Sequence, residues 1–351
     1  MYGIDKSQLR NITIESIDLD TLSRSSAVYS LTDSPIGQPV KLHNSEGYIK
    51  LDRIYISNDK LFESFSLDYK IEHSARVYYT TLDLTVKSKN KKLYNLIPMS
   101  ANKYKHKLAI IRDFLAHNYG IYISFTDARF RKIELNITES MDYEFEAYKV
   151  LFEAIRKERN LKIYPNSSTY ESALKTGTYY YSSKSQELKF YNKSQELHDY
   201  FKIELDDNKI MRLEYKLTGF DKIADKLGTD KVLELTDEAI ADFLNESIKE
   251  DVFKSINKYI DKTNKQLTKK YKQIKKQHKR GCIKEFSNYC NSRDAEIFDM
   301  QQVLDITKGD INRSNHGSRN RKLIDSIMSP TLKHNLDRFE EFKVKFQITN
   351  Q

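Results

Sequence analysis

The chain has 351 residues, a net charge of +9 and a pI of about 9.1. Hydrophobic residues make up 39% and charged residues 31%, which allows a folded core and excludes a fibrous or largely disordered protein. No apolar run reaches the roughly 18–20 residues of a membrane helix, and the N-terminus lacks the apolar segment of a signal peptide. We therefore expect a cytoplasmic protein that has no membrane partner. The basic charge favours a polyanionic partner.

The two cysteines, Cys282 and Cys290, carry little functional information. They are not spaced as a CxxC pair, and no paired histidines accompany them. We therefore expect neither a structural zinc site nor a secreted disulfide scaffold, which agrees with a reducing cytoplasm.

Three regions are predicted along the chain. Residues 1–45 are polar, with a weak strand pattern at 12–19 and a turn at 34–39, and no role follows from them. Residues 46–226 carry most of the strand patterns and form the second region. Residues 227–351 have helical periodicity and form the third.

Strand and helix patterns alternate in the middle region. Strands are predicted at 48–56, 76–86, 121–125, 128–136 and 209–217, helices at 103–119 and 141–158, and a hairpin at 178–192. Two of these strands have one apolar and one polar face. The apolar residues are Ile133, Leu135, Ile137, Met211, Leu213, Tyr215 and Leu217, and the polar residues are Lys132, Glu134, Asn136, Arg212, Glu214 and Lys216. The pattern predicts an α+β fold, a mainly antiparallel sheet with helices on one face and an open catalytic face, followed by an all-helical C-terminal region.

The hairpin has predicted arms at 178–182 and 188–192, and its second arm ends in Tyr191, followed by Asn192 and Lys193. The chain contains 24 tyrosines, so packing within the sheet is the alternative to a chemical role for any of them. The tyrosines at 179–181 are rival candidates, and Tyr181 is the first of them to check.

Glu134, Glu214 and the strand that ends in Tyr191 are predicted to share the open face. The carboxylates could simply be ion-paired, Glu134 with Arg212 or Lys216, and Glu214 with Lys132. The functional hypothesis is that they bind a divalent metal.

In the functional hypothesis, Glu134, Glu214 and Asn136 hold Mg²⁺ or Mn²⁺ through oxygen ligands, and the ion polarises a scissile phosphate. A tyrosine is a poor nucleophile at its free pKa of about 10. Lys189 and Lys193, which flank Tyr191, would assist its attack.

The C-terminal region is predicted to begin its longest helix at 251 and end it at 277. Ten Lys or Arg and no Asp or Glu lie between Lys262 and Lys284, which indicates either a solvated face or a phosphate-contacting surface. Helices at 296–306 and 311–328 resemble a helix-turn-helix, a weak motif. The predicted DNA contacts are Arg212, Lys216, Lys269, Lys270, Lys272, Lys275, Lys276, Arg313, Arg319 and Arg321.

Three segments together resemble a known family. They are FRKIELNIT (130–138), GTYYYSSKSQELKFYNKSQEL (177–197) and MRLEYKL (211–217). They are similar to rolling-circle replication initiators of the Rep_trans type, which include the staphylococcal plasmid initiators and, more loosely, the gene II/X replication proteins of filamentous phages. The hairpin is the most specific segment, and the likeness covers roughly residues 75–220.

The resemblance implies an endonuclease with strand-transfer activity, with residues 46–226 as the nicking domain and the helical, basic residues 227–351 as the DNA-binding region. Tyr191 matches the family's tyrosine, which attacks one strand at a plasmid or phage origin, keeps the 5′ phosphate as a phosphotyrosine and releases a 3′-OH that primes synthesis. Glu134 and Glu214 fall where the family places acidic metal-site residues. No His-x-His occurs here, so the chain fits only the branch with carboxylate ligands.

The implied partners are the double-stranded replication origin and its nicked single strand. Host helicase, DNA polymerase and a second copy of the chain in a homodimer are further candidates. Two alternatives stay open at this point. One is a relaxase for conjugative mobilisation with the same chemistry, and the other is a DNA-binding protein without catalysis.

Overall fold

The computed structural model describes residues 1–24, 28–29, 52–58, 61–71, 77–87, 96–159, 178–202, 209–278, 281–293, 296–311, 322 and 330–348. The strands are β1 (Tyr2–Arg10), β2 (Thr13–Ile17), β3 (Val28–Tyr29), β4 (Asp52–Asn58), β5 (Phe62–Ile71), β6 (Val77–Lys87), β7 (Ile121–Ser124), β8 (Arg129–Ser140), β9 (Tyr179–Ser182), β10 (Gln186–Asn192) and β11 (Ile210–Thr218). Nine of them form one sheet in the order β3-β4-β5-β6-β1-β8-β11-β10-β9, and every neighbouring pair is antiparallel. β2 and β7 form a separate antiparallel pair.

Ten α-helices lie within the described ranges. They are α1 (Leu19–Arg24), α2 (Ala101–Tyr119), α3 (Lys149–Arg159), α4 (Lys193–Phe201), α5 (Phe220–Leu227), α6 (Asp237–Ser247), α7 (Lys254–Gln277), α8 (Cys282–Asn291), α9 (Met300–Ile311) and α10 (Pro330–Phe346). A 3₁₀ turn at Phe145–Tyr148 precedes α3, and a π-helical turn at Ile248–Phe253 joins α6 to α7. The α+β class and the helical C-terminal region are therefore confirmed. None of the described helices is long and apolar enough to cross a membrane.

The first strand corrects the predicted boundary at residue 45. β1 lies in the middle of the sheet, hydrogen-bonded to β6 on one side and β8 on the other. Ile4 and Leu9 are fully buried, while Asp5, Lys6 and Gln8 interrupt the apolar pattern. Residues 2–10 are thus part of the sheet that carries the site, and the alternation that marks a half-buried strand is too irregular here to reveal it.

Helices cover the apolar face of the sheet, as predicted. Phe190 of β10 stacks on Phe152 of α3 with ring centroids 4.8 Å apart, and Phe342 of α10 lies 6.1 Å from Phe190. Tyr215 of β11 contacts Phe243 of α6 at 5.5 Å. Because successive side chains of a strand point to opposite faces, this aromatic packing leaves the neighbouring residues of β10 and β11 on the other face.

Several element boundaries differ from the predicted ones. The helix predicted at 141–158 is the 3₁₀ turn followed by α3, since an apolar stripe of buried residues fits either helical period. The helix predicted to begin at 251 is α7, which begins at Lys254, directly after the π-helical turn. The second helix of the predicted helix-turn-helix, 311–328, lies almost wholly outside the described residues.

A second hydrophobic cluster lies within the C-terminal helices. Leu267, Tyr271 and Ile274 of α7 pack with buried residues of the next two helices, among them Phe286 of α8 and Val303 of α9. The distal half of α7 therefore shares a core with α8 and α9, and this core is distinct from the one under the sheet.

Gly3 of β1 is needed where it stands. A Cβ at Gly3 would collide with the carbonyl oxygen of Met99, and φ at this residue is +152°. Met99 cannot retreat easily, because its carbonyl accepts a hydrogen bond from the Ile4 N–H at 2.8 Å and its own N–H donates to Ile4. We predict that Gly3→Ala lowers the free energy of unfolding, measured by urea denaturation, by about 1–3 kcal/mol.

Gly309→Ala is the matched control, since a Cβ there meets nothing within 4 Å and the residue lies inside α9. That change should stabilise by about 0.5–1 kcal/mol. Equal effects of the two substitutions would contradict the close approach at Gly3.

Candidate active site

Cross-strand pairing lines up the predicted site residues on one face of the sheet. Lys189 of β10 lies directly opposite Glu214 of β11, which lies opposite Asn136 of β8. In the adjacent row, Tyr191 lies opposite Arg212. Directly paired residues share a face, so the structure brings these five together as the alternation predicts.

Asp5 is a site residue that the sequence patterns missed. The register of β1 on β8 shifts at this point, with Ile4 opposite Leu135 and Lys6 opposite Glu134. Asp5 is thus the extra residue of a β-bulge, a feature that re-aims side chains and occurs often beside active sites. Carboxylate oxygens of Asp5, Glu134 and Glu214 lie within 4.8 Å of one another.

Two cations offset the carboxylates. Lys189 Nζ donates to Glu214 Oε1 at 2.8 Å, and Arg212 NH1 lies 3.6 Å from Asp5 Oδ1. Burial alone would lower the pKa of Lys189, but the Glu214 carboxylate outweighs it and raises that pKa. Lys189 therefore stays an ammonium ion at neutral pH.

The pKa of two of the carboxyl groups is raised. For Asp5, burial raises the pKa more than Arg212 lowers it. For Glu134, burial and the neighbouring Glu214 raise the pKa, and Lys189 and Lys132 only partly oppose them. Burial, more than charge repulsion, therefore disfavours the ionised form of both groups.

Asn136 supports a ligand in this cluster. Its side chain is fully buried, and neither its amide oxygen nor its amide nitrogen has a hydrogen-bond partner among the described residues. Oxygen atoms of carboxylates and amides are the ligands that Mg²⁺ and Mn²⁺ prefer. The residues therefore fit a divalent cation, although an acidic cluster of this kind is not specific to one.

The alternative ion pairs are formed differently from the predicted ones. Glu214 pairs with Lys189 and not with Lys132. Lys132 Nζ instead lies 3.8 Å from Glu134 Oε1. Lys216, expected as a DNA contact, donates to Glu187 at 2.8 Å.

Tyr191 lies at the edge of the carboxylate cluster. Its hydroxyl is 3.4 Å from Glu214 Oε2, a long contact for a hydrogen bond, and the residue is partly exposed. Burial raises the pKa of Tyr191 well above its usual value, and Arg212 only partly opposes this. The hydroxyl is therefore protonated at neutral pH and needs a proton acceptor before it can attack.

The chain leaves the sheet after Asn192, one residue beyond Tyr191. The Asn192 side-chain oxygen accepts the Gln195 N–H at 3.0 Å and so caps the start of α4. Lys193, the first residue of α4, is 2% exposed, and its Nζ lies 5.8 Å from the centre of the Tyr191 ring. Burial and then Arg212 lower the pKa of Lys193, despite its 2.7 Å ion pair with Glu196.

Arg212 requires a correction. It was predicted to contact DNA from an open face, yet its side chain is fully buried. Its Nε donates to Thr138 Oγ1 at 2.8 Å, and its NH2 donates to the Leu96 carbonyl at 3.3 Å. Alternation identifies the face of a residue but not its depth, so Arg212 acts as an interior charge beside Asp5 and Tyr191.

The rival tyrosines of β9 occupy different surroundings. Tyr179 lies against Phe152 with ring centroids 4.7 Å apart, which places it in the apolar packing. Tyr180 pairs with Lys189, whose Nζ lies 5.9 Å from the Tyr180 ring. Tyr181 is a β9 residue whose side chain lies outside the description.

The other predicted DNA contacts lie far along the chain. Lys269, Lys272 and Lys276 are exposed on α7. Lys275 of α7 forms an ion pair with Asp310 at 2.7 Å, and the Lys270 Nζ lies 5.1 Å from the Tyr289 ring centre. The remaining predicted contacts, Arg313, Arg319 and Arg321, lie outside the described residues.

Comparison of the sequence with models of known protein families and with curated proteins finds no match. The geometry of the site therefore has to carry the functional argument.

The electrostatic account of Glu134 predicts that Glu134→Gln raises the thermal unfolding midpoint of metal-free protein at pH 8. A carboxyl whose pKa is higher in the folded state takes up protons on folding. The loss of stability that Glu134 causes is absent below the pKa of a glutamate in the unfolded chain, about 4.3. It grows as the pH rises through the pKa of Glu134 in the folded protein. The gain, about 1–3 °C at pH 8, should therefore disappear near pH 4.

Glu187→Gln is the control on the same face. Burial alone would raise the pKa of Glu187, but its hydrogen bond from Lys216 outweighs this and lowers the pKa. Its replacement should leave the midpoint unchanged or lower it at pH 8. Added Mn²⁺ should raise the midpoint of the wild type more than that of Glu134→Gln. If Glu134→Gln raised the unfolding midpoint equally at pH 8 and near pH 4, ionisation of Glu134 would not be the source of the lost stability.

Proposed function

We propose that this protein nicks one strand of DNA and stays covalently attached to it through Tyr191. The observation that carries the proposal is the position of the Tyr191 hydroxyl, 3.4 Å from Glu214, on the same sheet face as a cluster of three carboxylates. A tyrosine that served only for packing would not need partly buried carboxylates beside it, nor a buried amide that lacks a hydrogen-bond partner among the described residues.

Asp5, Glu134, Glu214 and the oxygen of Asn136 would hold the divalent cation. Bound there, Mg²⁺ or Mn²⁺ would supply Lewis-acid polarisation of the scissile phosphate. The raised pKa values of Asp5 and Glu134 support this assignment, because a nearby cation would relieve the mutual repulsion of the carboxylates.

The residues divide the remaining work of the transfer. Glu214 Oε2 takes the phenolic proton as the Tyr191 oxygen attacks phosphorus. A bond forms between that oxygen and phosphorus, and the bond from phosphorus to the 3′ oxygen breaks. The 3′ oxygen leaves as a hydroxyl after taking a proton, for which Lys193, an ammonium group of lowered pKa, is a suitable donor. In the reverse sense, an incoming 3′-OH attacks the phosphotyrosine and frees Tyr191.

Lys189 and Arg212 position the acidic groups. Lys189 holds one oxygen of Glu214 and leaves the other directed at Tyr191. Arg212 stabilises Asp5 from the interior. The fixed positive charges also favour the negative charge that develops on the phosphate during attack.

The proposed biological role is initiation of rolling-circle replication at a plasmid or phage origin. This setting rests on the resemblance of 130–138, 177–197 and 211–217 to initiators of the Rep_trans type. A mobilisation relaxase would use the same chemistry, and the genes beside this one would separate the two roles.

Tyr191→Phe should lower the rate of nicking of a supercoiled plasmid, carrying the protein's own replicon, by about a thousandfold or more in the presence of Mn²⁺. It should also abolish the covalent protein–DNA product on a denaturing gel. The phenyl ring keeps the packing and removes only the attacking oxygen.

Tyr180→Phe is the matched control, because Tyr180 lies on the neighbouring strand and pairs with Lys189. It should retain nicking and the covalent product. A covalent product from Tyr191→Phe would refute Tyr191 as the nucleophile. If wild-type protein nicks no substrate, the catalytic proposal fails and a DNA-binding role without catalysis takes its place.

A further inference from the structure

A stripe of lysines runs along the distal half of α7, on the side opposite its core contacts. Its members are Lys265, Lys269, Lys272 and Lys276, all of them exposed. Spacings of four, three and four residues keep side chains on one face of a helix. At about 100° per residue, that face is opposite the buried side formed by Leu267, Tyr271 and Ile274.

The stripe is straight and rigidly held. Eleven residues of α-helix separate its ends, which corresponds to about 16 Å. The α7 residues on the buried side pack against Phe286 of α8 and Val303 of α9, so the stripe lies on a packed three-helix unit. Its side chains are therefore carried by a fixed backbone.

The neighbouring lysines of α7 differ from the stripe lysines in their contacts within the described part of the chain. Lys258 and Lys262 both lie within 4 Å of the buried carboxylate of Glu158, at 3.7 and 2.7 Å. Lys275 pairs with Asp310. Among the described residues, no acidic group lies within ion-pair distance of the four stripe lysines.

We infer that the four-lysine stripe is a docking surface for the phosphate backbone of double-stranded DNA. Four unneutralised ammonium groups in a straight row repel one another and complement a linear array of negative charge. Duplex DNA is stiff over this length, with a persistence length of about 50 nm, so it matches a straight helical row better than a single strand that must be ordered first.

The stripe is separate from the catalytic face. α7 contacts α3 through Glu158, and α3 covers the apolar face of the sheet through Phe152. Tyr191 and the carboxylate cluster lie on the other face. The inference thus goes beyond the proposed nicking reaction and does not depend on it.

The test measures binding of a fluorescently labelled 30-base-pair duplex by anisotropy between 50 and 200 mM KCl. The triple variant K269Q/K272Q/K276Q should bind more weakly, and its plot of log affinity against log salt should be shallower by about 2 to 3 units. The triple variant K103Q/K202Q/K249Q is the matched control, since it removes the same charge from exposed lysines outside the stripe. It should keep the wild-type slope.

Both triple variants are made in a Tyr191→Phe background, so that covalent capture cannot mimic binding. The result then stands whether or not the protein nicks DNA.

If K269Q/K272Q/K276Q kept the salt slope of the Tyr191→Phe protein, the inference would be overturned. Equal losses in the two triple variants would also overturn it, because they would indicate net charge alone. A loss confined to a single-stranded 30-mer would overturn the assignment to duplex DNA.

Discussion

Three carboxylates held within 4.8 Å of one another on a partly buried sheet face are the constraint around which the structure is built. Like charges at this distance in a partly desolvated site repel strongly, and burial adds to the cost. Lys189 and Arg212 offset part of it, yet the pKa of Asp5 and that of Glu134 stay raised. The proposed divalent cation, with the Asn136 amide as a further ligand, would offset this cost.

The antiparallel sheet provides apolar packing that offsets the destabilising effect of this concentration of charge. Apolar residues of β8, β10 and β11 are buried under α3, α6 and α10, so one face of each strand supplies the packing and the other is left for chemistry. β10 then ends at Asn192, one residue beyond Tyr191, where the Asn192 side chain caps α4. Tyr191 is thus fixed by the sheet on one side and by the start of α4 on the other, which is the preorganisation that its proposed role as a nucleophile needs.

Alternation along β8, β10 and β11 was sufficient to predict that Glu134, Glu214 and Tyr191 share a face. It could not reveal Asp5, because a bulge places that residue outside the period of two and its polar neighbours conceal the strand. Nor could it reveal that Arg212 is buried, since depth depends on which segments cross the face, here the Leu96 carbonyl. The class of the fold was predictable because apolar periodicity is a local property, whereas a strand inserted from the N-terminus is a long-range one.

The central claim is that Tyr191 forms the covalent bond with DNA, and the attachment site can be read directly. Trypsin cleaves after Lys189 and Lys193, so Tyr191 is the single tyrosine of the peptide 190–193, while the tyrosines at 179–181 fall in the peptide 176–184. The wild-type protein is incubated with Mn²⁺ and a supercoiled plasmid that carries the proposed origin, and any adduct is digested with nuclease and trypsin and analysed by mass spectrometry. We expect a nucleotide mass on the peptide 190–193. The same mass on 176–184, or on any other peptide, would contradict it.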